Sequence, residues 1–66
     1  MYLIKENMAE LIKEKYKLRY IANKSMISES YLSLLINQKA RCSKKTALLI
    51  ANSIDSNVED IFISVK

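Results

Sequence analysis

The stretch IANKSMISESYLSLLINQK, residues 21–39, has the pattern of two short helices separated by a tight turn. Ser28 is a good N-cap residue, because its hydroxyl can accept a hydrogen bond from an N–H group that the first helical turn leaves unpaired. Leu32 and Leu35 follow at a spacing that places both on one side of a helix. These features predict a helix over Glu29–Ile36 that buries Leu32 and Leu35.

Two further helices are predicted before this one. The segment Leu18–Ser25 places Leu18, Ile21 and Ala22 on one side of a short helix. The first helix is predicted over residues 2–15, because apolar residues recur at the spacing of an amphipathic helix. The residues of that apolar stripe are Ile4, Met8, Leu11, Ile12 and Tyr16.

After residue 36 the sequence predicts a stop and then a fourth helix. Asparagine tolerates left-handed backbone better than most residues, so Asn37-Gln38 is expected to end the preceding helix. Ser43 is the next N-cap, and the helix that it begins runs to about Ser53. The apolar side of this fourth helix consists of Ala47, Leu48, Ile50, Ala51 and Ile54.

The last ten residues combine a short helix with an extended tail. Asn57 is in position to cap the helix, and Asp60 three residues later resembles the acidic partner of a capping box. In the tail IFISVK, branched apolar residues occupy every second position, which predicts an extended conformation for residues 63–66. This tail either docks on the core or pairs with another subunit, and the pattern allows both.

Length and composition indicate one all-α domain over residues 1–66. Sixty-six residues are too few for two hydrophobic cores. The chain contains no glycine and no proline, on which the turns of all-β folds rely. We therefore expect five helices joined by short polar turns.

Cysteine content and hydropathy indicate a cytoplasmic protein without a membrane partner. Cys42 is the only cysteine, which excludes an intrachain disulfide and a cysteine-clustered zinc site, and we expect it to be a packing residue rather than a redox switch. Lys5 and Glu6 interrupt the N-terminal apolar run, so no signal peptide is predicted. No uncharged apolar stretch approaches the roughly 18 residues that span a bilayer.

Residues with catalytic chemistry are scarce. The chain has no histidine and no glycine-rich loop that could hold a phosphate. Glu10 and Glu14 lie one helical turn apart, but Lys13 and Lys15 interleave with them, as on a solvated helix face. We therefore expect no enzyme, no cofactor, no metal site and no small-molecule substrate.

The positive charge is concentrated in the middle of the chain. The net charge is +4, of which residues 1–16 contribute zero, residues 17–45 contribute +6 and residues 46–66 contribute −2. Such a concentration is expected of a surface that binds a polyanion, and a lysine-rich surface without a partner is the alternative. The cations of the middle segment, opposed by Glu29 alone, are Lys17, Arg19, Lys24, Lys39, Arg41, Lys44 and Lys45.

The order of these elements resembles the Cro/repressor-type, or XRE-like, helix-turn-helix family of DNA-binding proteins. Ile21-Ala22 is similar to the Leu-Ala pair of the family's second helix, and Ile27-Ser28 is similar to the Val-Ser pair at the end of its turn. Leu32 is similar to the buried Ile of its recognition helix. The family ends its third helix with the motif NGK, which INQK (36–39) resembles. Its fourth helix resembles SKKTALLIA (43–51), and its closing turn resembles VEDIF (58–62). The resemblance covers about residues 8–62. It implies a compact five-helix lambda-repressor-like fold with the helix-turn-helix at about residues 18–36.

The sequence departs from the family pattern at two turns. Met26 stands where the family usually has glycine between its second and third helices, and Gln38 replaces the glycine of NGK. A non-glycine residue at positive φ costs on the order of 1 kcal/mol. We therefore expect Met26 to pack against the domain and offset that strain.

The resemblance implies a DNA site built around the helix at residues 29–36. In this family that helix lies in the major groove, with its N-terminal residues at the base edges. The implied base contacts are Ser28, Glu29, Ser30, Tyr31 and Leu34. The implied phosphate contacts are Lys17, Arg19, Asn37, Lys39, Arg41, Lys44 and Lys45. Gln, Asn and Arg are the residues that usually make bidentate hydrogen bonds to bases, and none of the implied base contacts is one of them. Recognition is therefore expected to depend more on phosphates, water and DNA shape.

By resemblance, the chain is expected to be a sequence-specific transcriptional regulator of phage, mobile-element or bacterial origin, binding double-stranded operator DNA as a homodimer. The alternative is a protein-binding module on the same fold, such as an antirepressor or an antitoxin-like partner. Tyr31, Leu34 and Ile36 would then form an exposed anchor patch.

Overall fold

The computed structural model describes residues 1–65 and contains five helices and a two-stranded antiparallel sheet. The helices are α1 (Glu6–Lys15), α2 (Leu18–Ser25), α3 (Glu29–Ile36), α4 (Lys44–Ser53) and α5 (Val58–Ile61). The strands are β1 (Tyr2–Ile4) and β2 (Phe62–Ser64). The predicted compact, mostly helical domain with five helices is confirmed, and the structure adds a two-stranded sheet that the all-α expectation leaves out.

The first helix begins later than the apolar spacing predicts. Residues 2–4 form β1 instead of a first helical turn, in register with β2 so that Leu3 opposes Ile63. Their partners lie about 60 residues away along the chain, so local periodicity carries no sign of the pairing. The predicted apolar stripe is also partly wrong, because Leu11 and Tyr16 are exposed.

The tail docks on its own chain. Phe62 is buried, and its ring meets that of Tyr2 edge-on, with the ring centroids 6.4 Å apart. The extended conformation predicted from residue 63 onward is confirmed for Ile63 and Ser64. Lys66, the last residue of the predicted tail, lies outside the described residues.

The core lies where the helices and the inner face of the sheet meet. α2 packs against both α3 and α4, and α4 also contacts α5. Leu32 and Leu35 are buried as predicted, but Ile36 is buried as well, so it cannot belong to an exposed anchor patch. On α4, the predicted apolar side is confirmed except for Leu48, which is exposed. None of the helices within residues 1–65 is long and apolar enough to cross a membrane.

Two of the three predicted N-caps make the expected hydrogen bond. The Ser28 hydroxyl accepts from the Tyr31 N–H at 3.1 Å, and the Ser43 hydroxyl accepts from the Thr46 N–H at 3.3 Å. Asn57 occupies the N-cap position of α5, but its side chain makes no capping bond. Its amide lies 3.5 Å from the Asp60 carboxylate instead.

Positive φ values occur at both turns where the resemblance predicts glycine. Met26 has φ 61° and Gln38 has φ 61°, so the left-handed residue after α3 is Gln38 rather than Asn37, whose φ is −83°. Gln38 uses this conformation, because its side-chain amide donates to the Ile4 carbonyl at 2.9 Å. Met26 is 84% exposed, so the expectation that it packs against the domain is wrong.

Met26→Gly is expected to raise the free energy of unfolding by about 0.5–1 kcal/mol, because glycine adopts positive φ without a Cβ clash and the methionine side chain has few contacts to lose. Gln38→Gly is the matched control. It relieves the same strain but removes the bond to Ile4, so its net gain should be smaller or negative. Urea denaturation of both variants tests this, and a larger gain from Gln38→Gly would contradict it.

Candidate nucleic-acid interface

One side of α3 is buried and the other is available for contact. Leu32 and Leu35 fasten the helix to the core, and Ser28, Glu29 and Ser30 are exposed at its start. Leu34 is 45% exposed. Four of the five residues predicted to contact bases therefore lie on accessible surface at or near the first two turns of α3. Their short or flexible side chains leave the approach to this helix open.

Tyr31, the fifth of these residues, has a structural role in addition. Its ring is half-buried against the core, and its hydroxyl donates to the Arg41 carbonyl at 3.1 Å. This bond joins the start of α3 to the loop that leads into α4. Tyr31 therefore fixes the position of a loop that carries two of the predicted phosphate contacts, Lys39 and Arg41.

A salt bridge joins the start of α2 to the start of α3. Arg19 Nε lies 3.7 Å from the Glu29 carboxylate, and both side chains are largely exposed. An exposed pair of this kind adds little to stability. Its effect is local: it places a cation beside α3 and partly compensates the charge of Glu29, the one acidic residue in the first turn of that helix.

The loop after α3 is also anchored from the other side of the domain. The Gln38 amide reaches the Ile4 carbonyl of β1, and the Lys39 N–H donates to the Leu34 carbonyl at 2.8 Å. Sequence reasoning missed the role of Gln38. The glutamine and its partner are separated by 34 positions, and no local pattern marks such a contact.

The predicted phosphate contacts other than Asn37 are exposed cations at element ends and in loops. Lys17 stands at the N-cap of α2 without making a side-chain cap, and Lys44 and Lys45 are the first two residues of α4. The Arg19 guanidinium lies beside the Glu29 carboxylate at the start of α3, and the Arg41 carbonyl accepts a hydrogen bond from the Tyr31 hydroxyl. The structure therefore places the Arg19 cation beside the start of α3, and it fixes the backbone of the loop that carries Arg41 against Tyr31.

Asn37 lies apart from this group. Its side-chain oxygen accepts from Lys13 Nζ at 3.2 Å, and its amide lies 3.4 Å from the Ser33 hydroxyl. It follows the last residue of α3, roughly 12 Å along the axis from Glu29 at 1.5 Å per residue. Lys13, interpreted from the sequence as part of a solvated helix face, is thus a cation near the C-terminal end of α3 that the sequence did not predict.

Tyr31→Phe is expected to lower the free energy of unfolding by about 1 kcal/mol, because it removes the hydroxyl and leaves the Arg41 carbonyl without that donor. Tyr20→Phe is the control: the Tyr20 ring is exposed, with Lys24 Nζ 5.8 Å from its centroid, and phenylalanine keeps that ring. Its effect should stay within about 0.5 kcal/mol. Equal losses in urea denaturation would show that the Tyr31 hydroxyl does not hold the loop.

The one thiol of the chain, on Cys42, is shielded from solvent. Cys42 is buried in the core, and burial raises the pKa of its thiol, which lowers the thiolate fraction at neutral pH. Within residues 1–65, no group of three or more histidine, cysteine, aspartate or glutamate residues could hold a metal ion. Cys42 therefore contributes to packing, beside the backbone pairing that it makes with Tyr2.

Comparison of the chain with protein-family models, with curated proteins and with solved structures finds no significant match. The similarity to the Cro/repressor family therefore depends on the motif matches in the sequence.

Proposed function

We propose that the chain is a DNA-binding transcriptional regulator of the Cro/repressor type, which inserts α3 into the major groove of operator DNA. The observation that supports this most is the exposed polar face at the start of α3, with the Arg19 cation beside it and the backbone of a basic loop hydrogen-bonded to Tyr31. A helix is the element that a major groove admits, and flanking cations meet the phosphates that border the groove.

Electrostatics supplies most of the expected affinity. Residues 17–45 carry +6, and Lys44 and Lys45 stand in the first turn of α4, where the helix dipole disfavours cations by a few tenths of a kcal/mol. Phosphate binding offsets such a cost. The uncapped start of α2 adds N–H groups next to Lys17 and Arg19, which suits the same ligand.

Base readout would come from few and weakly selective groups. Ser30 can donate to or accept from several bases, and Leu34 offers apolar contact to a thymine methyl. Glu29 can accept from cytosine N4, and the nearby Arg19 reduces its repulsion by phosphates. DNA shape and water-mediated contacts are expected to contribute much of the specificity.

We further propose that two copies bind one operator, since regulators of this kind place their recognition helices about 34 Å apart on one face of the DNA. With three or four phosphate contacts per chain, the logarithm of the binding constant should fall with the logarithm of salt concentration at a slope of about −5 to −7 for the dimer.

A protein-binding module is the second candidate, and the exposure of Leu34 is the observation that favours it. The exposed Met26 on the preceding turn adds to the accessible apolar surface. Such a module would bind its partner with little dependence on salt. It would be damaged by Leu34→Ala and would tolerate the loss of Lys44.

The deciding experiment selects the protein on a pool of random duplex DNA at two salt concentrations and sequences the bound fraction. A motif with dyad symmetry, recovered more weakly at the higher salt, supports the proposal. Salt-sensitive binding without a motif would leave DNA binding but remove sequence specificity. Absence of retained DNA at low salt would favour the protein-binding module.

A further inference from the structure

Three polar side chains from two helices meet at the C-terminal end of α3. The Lys13 ammonium of α1 donates to Asn37 Oδ1 at 3.2 Å, and Asn37 Nδ2 lies 3.4 Å from the Ser33 hydroxyl oxygen. The Asn37 N–H donates to the Ser33 carbonyl at 3.0 Å, so Asn37 continues the helical path of α3. Lys13 and Asn37 are exposed and Ser33 is half-buried. We refer to these three side chains as the donor cluster.

The chemistry of lysine fixes the orientation of the Asn37 amide. An ammonium group has three N–H donors and no acceptor, so the atom that faces Lys13 has to be the amide oxygen. The amide nitrogen then points along α3 toward Ser33. Bidentate recognition of adenine needs both the oxygen and the nitrogen of an amide, and in Asn37 both are already engaged within the protein.

The groups that the cluster leaves available are donors. Lys13 has two further ammonium N–H groups, Asn37 has a second amide N–H, and the Ser33 hydroxyl has a hydrogen of its own. Within residues 1–65, none of these hydrogens is donated to another group of the protein. Phosphate oxygens are acceptors only, and they bind most strongly to donors that include a cation. The cluster therefore suits a phosphate better than a base edge.

Lys13 also supplies the charge that this end of α3 lacks. The C-terminal end of a helix carries a partial negative charge, which repels an anion. No basic residue occurs in the last turn of α3, so the compensating cation comes from α1. Arg19 lies beside Glu29 at the other end of the helix. Asn37 is roughly 12 Å from Glu29 along the axis, which is close to the width of about 12 Å of a major groove.

The cluster shares a face of α3 with the residues proposed to contact bases. Ser30, Leu34 and Asn37 follow one another at intervals of four and three positions, which places their side chains on one side of a helix. All three are exposed. A phosphate bound at the cluster would thus border the same groove that the start of α3 enters.

We propose that the donor cluster is a phosphate site for DNA, in which Lys13 binds the phosphate and holds the Asn37 amide so that its free N–H points to the same group. This inference rests on the proposed function. It adds Lys13 and Ser33 to the interface, so that a residue of α1 takes part in binding. It also restricts Asn37 to the DNA backbone, where a contact contributes affinity and register but no sequence preference.

The first test compares Lys13→Gln with Lys15→Gln in fluorescence anisotropy with a labelled duplex of mixed sequence. Both changes remove one positive charge from an exposed position of α1, and glutamine at position 13 keeps an N–H donor for Asn37. Lys13→Gln is expected to weaken binding about eightfold per bound chain at 0.1 M salt and to flatten the logarithmic salt slope by about 0.9. Lys15→Gln should stay within about twofold of wild type, because salt screens a charge that makes no direct contact.

Asn37→Asp separates a phosphate site from a contact that only joins two helices. Aspartate keeps an acceptor for Lys13 but replaces the amide donor with a negative charge. DNA affinity should therefore fall at least about tenfold, while the urea midpoint of the free protein stays near that of wild type. A contact that only joins the helices would leave DNA affinity unchanged. Selection of Asn37→Ala on the random DNA pool should recover less DNA with unchanged base preferences.

The outcomes distinguish this inference from the function on which it rests. Equal effects of Lys13→Gln and Lys15→Gln, with DNA bound by the wild type, would overturn the phosphate site and leave the proposed function standing. A base preference that changes at one position in Asn37→Ala would show that Asn37 reads a base, which also overturns it. Failure of the wild type to bind any DNA would overturn both.

Discussion

Leu35→Ala is expected to lower the free energy of unfolding by about 3 kcal/mol, which is a large part of the total stability of a domain of this size. The Leu35 side chain is fully buried, so its truncation removes apolar contacts and leaves a cavity. Leu34, the preceding residue on the same helix, is 45% exposed, and Leu34→Ala should change the stability by no more than about 0.5 kcal/mol.

Thermal and urea denaturation of the two variants measure the difference. For a chain of this length, a loss of 3 kcal/mol corresponds to a fall in Tm of at least about 12 °C. A larger loss for Leu34→Ala than for Leu35→Ala would mean that α3 packs through its other side. The residues proposed to contact DNA would then be turned toward the core, and the interface would have to be abandoned.

The double variant Lys39→Gln with Lys44→Gln is expected to weaken DNA binding by about 60-fold per bound chain at 0.1 M salt, if each lysine neutralises one phosphate. It should also flatten the salt dependence by about two units of logarithmic slope, equally for all DNA sequences. The positive charge of Lys44 is unfavourable beside the positive N-terminal end of the α4 dipole, so replacing Lys44 with glutamine should not destabilise the helix.

The matched control is Lys15→Gln with Lys24→Gln, which removes the same charge from positions outside the candidate interface. This control should retain most of the affinity and most of the salt slope, and fluorescence anisotropy with labelled duplex DNA measures both. An equal effect of the two double variants would indicate that net charge alone attracts DNA. The assignment of Lys39 and Lys44 to phosphates would then be wrong.

The parts of the fold that the sequence predicted are those with local causes. The bounds of α2 and α3 and the caps at Ser28 and Ser43 follow from side chains that act within three or four residues of their own position. Positive φ at Met26 was predicted because the resemblance places a glycine there. Asp55 also has positive φ, at 53°, and no comparable signal predicted it.

The parts that were not predicted depend on residues far apart along the chain. The pairing of β1 with β2, the bond from Gln38 to Ile4 and the bond from Tyr31 to Arg41 join positions between 10 and about 60 residues apart. No pattern within one helix or strand encodes such a partner. For the same reason the candidate site was predicted as a set of residues, while the contacts that hold its loop in place were visible only in the fold.

The pairing of β1 with β2 has a consequence for how the molecule is made. During synthesis β1 leaves the ribosome before the five helices do, and Tyr2 can meet Cys42 as soon as residue 42 has emerged. Leu3 pairs with Ile63, so the sheet closes only after the segments of all five helices have been translated. Until then Ile4 and the inner face of the helices lack the cover of Phe62, and the nascent chain exposes apolar surface that chaperones and proteases recognise. A ribosome that stalls before residue 62 would therefore hold an incomplete domain, although every helix up to α4 had already been made.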